Sequence, residues 1–410
     1  MSMIAVPAAG AVSHAPGPVL RVGRIASIDV MRALTVLLMI TVNEWHPVQG
    51  LPDWMKHYPA DADAMSFVDM VFPAFLFIVG MSIPFALQQR AARGDSFGRQ
   101  VAHVVQRGLG LVLIGVFMVN AESGFNADRM LLPIAAWALL SYLAAFWLWG
   151  GWRGQGLGRV WRCAGVLLFV GLALAYRGGP GGEQGMSPQW WGILGLIGWA
   201  YLGACLVYLL AARLGERAAA GLLAGIALCL GYYLLGQRPD PGPGLALLLS
   251  QGGQASHIAI VLSGCLCALI YFQTGTSARR ALLLALLLAF AAAWLATWLR
   301  PDYKISKIHA TPSWALYSVA ACVLIYALLH GLTRAGTRPL WPALLGPVAA
   351  HPLLAYLLPF VLGWLMQLLG LQGPALLNQG LPGLLWAPLF ALLIAVAVRW
   401  LDARGISLRI

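Results

Sequence analysis

The most concentrated group of titratable residues lies in the stretch DWMKHYPADADAMSFVDMVFPAFLFIVG, residues 53–80. His57 could act there as a general base near neutral pH, because the pKa of an unperturbed imidazole is about 6.5. Asp69 could orient this imidazole and stabilise its cation. Asn43, which ends the preceding apolar segment, could donate a hydrogen bond to a developing oxyanion. We therefore predict that Asn43, His57 and Asp69 form a catalytic site.

Three other histidines are alternative candidates on the same side of the predicted membrane domain. His46 lies between Trp45 and Pro47, where it could equally belong to the aromatic belt of a membrane interface. His257 and His309 are two further candidates. No metal is expected, because no pair of potential ligands on one predicted helix has the spacing of a zinc site. The six cysteines lie in apolar runs without a CxxC motif, which is typical of buried packing residues.

A second polar group lies within the first apolar segment. Asp29 and Arg32 are three residues apart, so they share a face of a helix and can form an ion pair. Asn43 follows Arg32 by about three helical turns and falls on nearly the same face. This polar stripe could be structural, with an ion pair at one end and an interhelical amide at the other. It could also be functional, because ionisable side chains within a membrane are costly and often mark a site.

The segment RPDYKISKIHATPSW, Arg300–Trp314, contains Lys304 and Lys307, which together with Lys56 are the only lysines of the chain. Basic and aromatic residues of this kind commonly anchor a helix at the membrane surface. The alternative is a basic wall that binds an anionic substrate or a phosphate-bearing cofactor. The residues alone do not separate these two interpretations.

The composition indicates what must position these residues. The chain has 60% hydrophobic and 10% charged residues with a mean hydropathy of +0.78, whereas soluble domains contain about 25% charged residues. Apolar runs long enough to cross a bilayer as helices predict an all-α, polytopic integral membrane bundle of about 11–12 transmembrane helices. The predicted segments are 29–50, 65–88, 101–121, 130–149, 159–176, 190–212, 218–236, 256–273, 280–299, 312–332, 345–370 and 382–401, of which the fifth and eighth are the shortest.

The charges predict how the bundle is oriented. Most of the 26 basic residues fall in alternate loops, and acidic residues concentrate in the others, as the positive-inside rule expects. We predict a flexible cytoplasmic tail over residues 1–24, one membrane domain over 25–404 and a C-terminal tail over 405–410, with both termini cytoplasmic. The net charge of +12 is thus a topology signal, and no aromatic-interleaved basic patch suggests nucleic acid.

Several of these residues belong to a longer pattern. The run RIASIDVMRALTVLLMITVN, a histidine in the following loop and then DMVFPAFLFIVG resemble the opening of the heparan-α-glucosaminide N-acetyltransferase family. An acidic insertion at Asp61–Asp63 departs from the family's spacing. A later segment, ISKIHATPSWALYS, resembles the family more loosely. The matching residues are Ser27, Asp29, Arg32, Val42, Asn43, His57, Asp69, Val71, Phe72, Pro73, Phe75, Phe77, Ile78 and Gly80, then Lys307, Trp314 and Ser318.

The resemblance implies an acyltransferase that moves the acetyl group of cytosolic acetyl-CoA to an amino or hydroxyl group of a sugar or glycan. The acceptor would lie on the exoplasmic side of a cell inner membrane. His57, with Asn43 and Asp69, would be catalytic. The residues that would bind acetyl-CoA are Asp29, Arg32, Lys307, Trp314 and Ser318. The identity of the acceptor sugar is left open, as is the choice between direct transfer, which we favour slightly, and an acetyl-histidine intermediate.

Two other functions stay open at this point. A transporter or flippase for a lipid-linked sugar would need interrupted helices, and Gly/Pro-interrupted segments such as LGPVAAHPLLAYLLPF are present. A structural partner in cell-envelope synthesis is the third hypothesis. A homodimer is plausible for a helical bundle of this type.

Overall fold

A computed structural model describes residue 20 and residues 25–151, 155–237, 250–334 and 342–408. Within these ranges the chain forms α-helices joined by loops and three short 3-10 helices, with isolated β-bridges and no strands. The α-helices are α1 Ala26–Trp45, α2 Phe67–Ala92, α3 Phe97–Glu122, α4 Ile134–Trp149, α5 Gln155–Ala175, α6 Gly192–Ala212, α7 Ala218–Gly236, α8 Gly252–Phe272, α9 Ala278–Tyr303, α10 Pro312–Arg334, α11 Pro342–Ala350, α12 Pro352–Leu368 and α13 Gly380–Ala403.

The predicted all-α membrane bundle is confirmed. Ten of the described helices are long and apolar enough to cross a membrane, and the bent pair α11–α12 makes up to eleven. The fifth and eighth predicted segments both form full-length helices, α5 and α8. The predicted N-terminal tail over residues 1–24 lies outside the described residues except for Leu20, whereas the predicted C-terminal tail is described as far as residue 408.

Two predicted segments differ from simple spans. The fourth forms α4, which has 16 residues and is shorter than the roughly 20 that a full crossing needs. The eleventh is broken at His351, where α11 and α12 meet at 95°. The break follows from Pro352, because a proline disfavours the helical conformation of the residue before it. His351 accordingly has φ −126° and ψ 54°.

Helix α8 lies at the centre, where it packs against α2, α6 and α7. Its approach to α2 is close enough that a Cβ atom at Gly80 would overlap the carbonyl of Val261, and one at Gly264 would overlap the carbonyl of Phe77. Small residues of this kind allow membrane helices to pack backbone against backbone. Helices α2 and α8 therefore pack closely around Gly80 and Gly264.

Three of the prolines within the described helices are matched by donors from other helices. Each proline lacks an N–H, so the carbonyl four residues earlier loses its helical partner. Pro73 and Pro84 of α2 free the carbonyls of Asp69 and Gly80 in this way, and Pro388 of α13 frees that of Leu384. The donors to these three carbonyls are Trp314 Nε1 at 3.2 Å, Cys265 Sγ at 3.2 Å and Trp45 Nε1 at 3.2 Å, respectively.

Candidate active site

His57 and Asp69 are brought together at the end of the bundle where α1 ends and α2 begins, which we call the His57 end. His57 follows a short 3-10 helix, Asp53–Met55, and its Nδ1 lies 2.6 Å from Oδ1 of Asp69. The imidazole is 33% exposed, whereas the Asp69 side chain is 2% exposed. Because an ionised carboxylate only accepts hydrogen bonds, Nδ1 carries a proton in this pair. Nε2 of a neutral His57 is then an acceptor and can take a proton from a substrate.

The first turn of α2 holds the Asp69 carboxylate in place. Oδ2 of Asp69 accepts from the backbone N–H of Ser66 at 3.0 Å and from its hydroxyl at 3.2 Å. The backbone N–H of Asp69 donates in turn to Oγ of Ser66 at 3.3 Å. This reciprocal arrangement is a capping box, which satisfies donors that the start of a helix leaves free. The contacts that begin α2 therefore also fix the Asp69 carboxylate, which in turn orients His57.

Trp314 supports the same turn from α10. It is fully buried, and its indole N–H donates to the carbonyl oxygen of Asp69. Its ring centroid lies 6.0 Å from that of His257, which in turn lies 5.3 Å from that of Phe72. His257 is thus buried between Phe72 and Trp314. Within the described residues its Nδ1 makes no hydrogen bond.

Lys307 lies against His57. Its Nζ is 3.2 Å from Nδ1 and 3.3 Å from Nε2 of the imidazole. The residue is half-buried in the α9–α10 loop. Burial lowers the pKa of Lys307 to about 8, and the negative charge of Asp69 opposes this shift only in part. The sequence predicted Lys307 as an acetyl-CoA-binding residue, whereas the structure places it beside the candidate base.

A clamp formed by Asp63, Arg300 and Ile305 joins the loop that carries His57 to the loop that carries Lys307. Nε of Arg300 donates to both carboxylate oxygens of Asp63, at 3.2 and 3.0 Å. The backbone N–H of Ile305 donates to Oδ1 of Asp63 at 2.7 Å. Burial raises the pKa of Asp63, but these hydrogen bonds and the charge of Arg300 outweigh it and hold that pKa below its ordinary value. A further bond runs from Oγ of Ser306 to the carbonyl of Ala60, at 2.9 Å.

Within the described ranges, other predicted site residues make no hydrogen bond to the His57–Asp69 pair. Asn43 is exposed at the His57 end of α1 and makes no hydrogen bond to His57 or Asp69, so its oxyanion role stays a prediction. His46 and His309 are exposed. Ser318 is buried in α10, and its Oγ makes no hydrogen bond to any described residue. The described ranges contain no group of three His, Cys, Asp or Glu side chains that could hold a metal.

The second polar group forms as its spacing indicated. Nη1 of Arg32 lies 3.1 Å from Oδ1 of Asp29. Arg32 also donates to Oγ of Ser82 at 2.7 Å and to the carbonyl of Ala349 at 3.2 Å. Ala349 lies in the last turn of α11, just before the break at His351. One guanidinium therefore connects α1 and α2 to the broken helix.

Arg32 lines a cavity of about 290 Å³ inside the bundle. Its walls come from α1, α2, α3, α6 and the α11–α12 break, and its polar lining comes from Arg32, Ser82, Arg107, Tyr201 and Tyr356. Arg107 lies over the Tyr201 ring, 5.2 Å from its centroid. The volume is at the small end of ligand pockets, which suits a narrow chain better than a bulky group.

The cavity extends from Arg32 towards the His57 end. Phe75 and Ser82 of α2 both line it, and they follow Asp69 by about 9 Å and about 20 Å along the helix axis. On α1, Arg32 and Met39 line it. Asn43 lies one turn beyond Met39 on the same helical face. Arg32 is therefore the member of the predicted polar stripe that lines the cavity, and Phe75 is the cavity-lining residue of α2 nearest in sequence to Asp69.

Comparisons with known proteins agree with the motif resemblance. Residues 24–217 match the sequence model of a family described as a domain of unknown function, DUF5009. A stretch of 114 residues, 27% of this chain, is 34% identical to the heparan-alpha-glucosaminide N-acetyltransferases of Homo sapiens and Mus musculus. This stretch covers only 16% of each of those proteins. The resemblance is thus confirmed for part of the chain. The family match contains Arg32, His57 and Asp69 and ends before Lys307.

Proposed function

We propose, from this resemblance to the heparan-α-glucosaminide N-acetyltransferases, that the chain is a transmembrane acetyltransferase. It would move the acetyl group of acetyl-CoA to an amino or hydroxyl group of a sugar or glycan. The relatives' names support acetyl transfer, and the ten or eleven apolar helices support a multi-pass membrane enzyme. The observation that carries the proposal is the hydrogen bond between His57 and the buried Asp69.

In this mechanism His57 is the general base. Nε2 removes a proton from the acceptor nitrogen or oxygen as that atom attacks the carbonyl carbon of the acetyl thioester. A bond from the acceptor to carbon forms, and the C–S bond then breaks to release the CoA thiolate. The imidazolium returns its proton to this thiolate, so the site ends the cycle as it began. Asp69 stabilises the imidazolium, and Asn43 would donate to the oxyanion of the tetrahedral intermediate.

The cavity supports delivery of the acetyl thioester from the end opposite His57. Arg32 and Arg107 place two cations along it, and guanidinium groups suit the phosphates of CoA. The thioester arm would extend along the face of α1 that holds Arg32 and Met39. The distribution of arginines favours a cytosolic location for that end and for both termini. We accordingly place the His57 end on the exoplasmic side of the cell inner membrane.

The experiment is acetyl transfer by the purified protein in lipid nanodiscs. The assay follows CoA thiol release from acetyl-CoA with amino sugars and neutral sugars as acceptors. We expect His57→Gln to reduce the rate by at least about a hundredfold, as loss of a general base does. His46→Gln is the matched control, because His46 is also exposed near the end of α1 but does not contact Asp69. A folded His57→Gln protein that transfers acetyl at the unmodified rate would contradict the mechanism.

A flippase or transporter for a lipid-linked sugar is the second candidate. The 95° break between α11 and α12 favours it, because it lies in the wall of the cavity and transporters bind substrates at broken helices. Proteoliposomes with a fluorescent lipid-linked sugar separate the two functions. Transbilayer movement that needs no acetyl-CoA and survives His57→Gln would favour transport. Thiol release that depends on His57 would favour acetyl transfer.

A further inference from the structure

Two opposite charges contact the imidazole of His57. The carboxylate of Asp69, from α2, lies 2.6 Å from Nδ1, and the amine of Lys307, from the α9–α10 loop, lies within 3.3 Å of both ring nitrogens. An adjacent anion favours the imidazolium, and an adjacent cation disfavours it. Asp69 therefore orients the base but also favours its protonation, which would remove it as a base. Lys307 acts against that second effect.

We propose that Lys307 is a further catalytic residue of the proposed acetyl-transfer site, where its positive charge keeps His57 neutral and able to accept a proton. Asp63 is a positioning residue that acts through Lys307. The inference rests on the proposed function. The charge state of His57 can nevertheless be measured without any enzymatic turnover.

The geometry explains why the cation is effective at this position. Lys307 is half-buried next to a carboxylate that is 2% exposed, so water screens the interaction with the imidazole less than at an open surface. Lys56 adjoins His57 in the chain but is exposed. Lys304 is also exposed, and it acts electrostatically on Asp63. Lys307 is therefore the cation that faces the ring.

The Asp63 clamp explains how a flexible side chain stays in place. A lysine side chain has several rotatable bonds, and holding it in one position costs rotamer entropy. Asp63 binds both Arg300, at the end of α9, and the backbone of Ile305, two residues before Lys307. The backbone on which Lys307 stands is thereby fixed to the loop that carries His57. The acidic insertion thus joins two loops that are far apart in sequence.

The test is the titration of His57 by NMR in protein labelled with ¹³C at histidine Cε1, with His57→Gln used to assign the resonance. We expect Lys307→Met to raise the midpoint pH of the His57 resonance by about one unit, and Lys307→Arg to move it by less than half of that. Asp69→Asn should move the midpoint the other way. An unchanged or lowered midpoint in folded Lys307→Met, with Lys307→Gln as a second variant, would overturn the proposal.

Asp63→Ala tests the clamp, because it has two effects of opposite sign on the midpoint pH of the His57 resonance. Direct loss of a negative charge near His57 would lower the midpoint, whereas release of Lys307 raises it. We therefore expect a rise, smaller than that of Lys307→Met. Asp61→Ala is the matched control, since Asp61 is an exposed carboxylate two residues away, and it should not raise the midpoint. A fall in Asp63→Ala equal to that in Asp61→Ala would overturn the positioning role.

The pH profile of acetyl transfer gives a second readout. In Lys307→Met the acid limb of kcat/KM should shift to higher pH by the same amount as the NMR midpoint. A purely structural role for Lys307 would lower the rate equally at all pH values and leave the limb in place, contrary to the proposal. Failure of acetyl transfer in the unmodified protein, together with the NMR shifts, would reject the proposed function while leaving the charge state of His57 explained.

Discussion

The indole N–H of Trp314 donates to the carbonyl oxygen of Asp69 at 3.2 Å. That carbonyl is available because Pro73, four residues later, has no N–H to donate. The Trp314 side chain thus supplies the hydrogen bond that the helix lacks at Asp69, the residue that orients His57. Trp314 was predicted to bind acetyl-CoA, and this contact gives a structural reason for a tryptophan at that position.

We predict that Trp314→Phe destabilises the protein by about 1–3 kcal/mol, the usual cost of an unpaired buried carbonyl. The change keeps an aromatic ring but removes the donor. Thermal unfolding in detergent should show the loss. The variant Pro73→Ala restores a backbone donor to Asp69, so the double variant should recover much of the stability. A double variant that is less stable than Trp314→Phe alone would contradict this account.

Gly80→Ala should prevent normal folding. Its Cβ would overlap the backbone carbonyl of Val261, and neither helix backbone can move without disturbing the α2–α8 contact. The measurement is the yield of monodisperse protein by size-exclusion chromatography. Gly171→Ala in α5 is the control, because nothing lies within 4 Å of the added Cβ. That variant should be neutral or slightly stabilised, since alanine is the better helix former by about 0.5–1 kcal/mol.

Arg32→Lys should weaken the binding of acetyl-CoA if the proposed delivery path is correct. Lysine keeps the charge but cannot bridge Asp29, Ser82 and Ala349 with a planar fork. We expect KM for acetyl-CoA to rise about tenfold, equivalent to about 1.4 kcal/mol, with a smaller change in kcat. Arg99→Lys, at an exposed position of α3, should leave both parameters unchanged. A normal KM in Arg32→Lys would remove Arg32 from the binding path.

Lys307 should react with amine reagents in an unusual pH range. Burial lowers the pKa of Lys307 to about 8, so its nucleophilic neutral form appears as the pH rises through about 8. Reductive methylation at a series of pH values, followed by peptide mass spectrometry, measures this. The midpoint should fall in Asp69→Asn, because the carboxylate that raises the lysine pKa is then absent. A Lys307 midpoint that rises on this substitution would contradict the assigned contact.

The sequence predicted the features that depend on local spacing. Asp29 and Arg32 pair because three residues separate them on one helix face, and apolar runs located the helices. The stretch around His351 was noted as Gly/Pro-interrupted but was predicted as part of one span, because it is apolar on both sides of His351 and its prolines are compatible with a kinked span. The short α4 likewise merges with apolar loop residues in the sequence.

Contacts between distant loops were beyond such reasoning. His57 and Asp69 could be paired from a short loop and a helix start, but Lys307 lies far along the chain and meets them only through tertiary packing. The acidic insertion was noticed as a departure from a family pattern, whereas its role as a clamp on Arg300 depends on the fold. Complementary charge between residues 61–63 and 300–307 was the available signal for this contact.

The capping box at Ser66 gives Asp69 two roles, because its Oδ2 accepts from Ser66 while its Oδ1 binds His57. Fraying of the first turn of α2 would release the carboxylate from Ser66 and with it the orientation of the imidazole. Amide exchange protection at this turn and catalytic competence should consequently rise and fall together across conditions. Local unfolding of this single helical turn would then inactivate the candidate active site while the rest of the bundle stays folded.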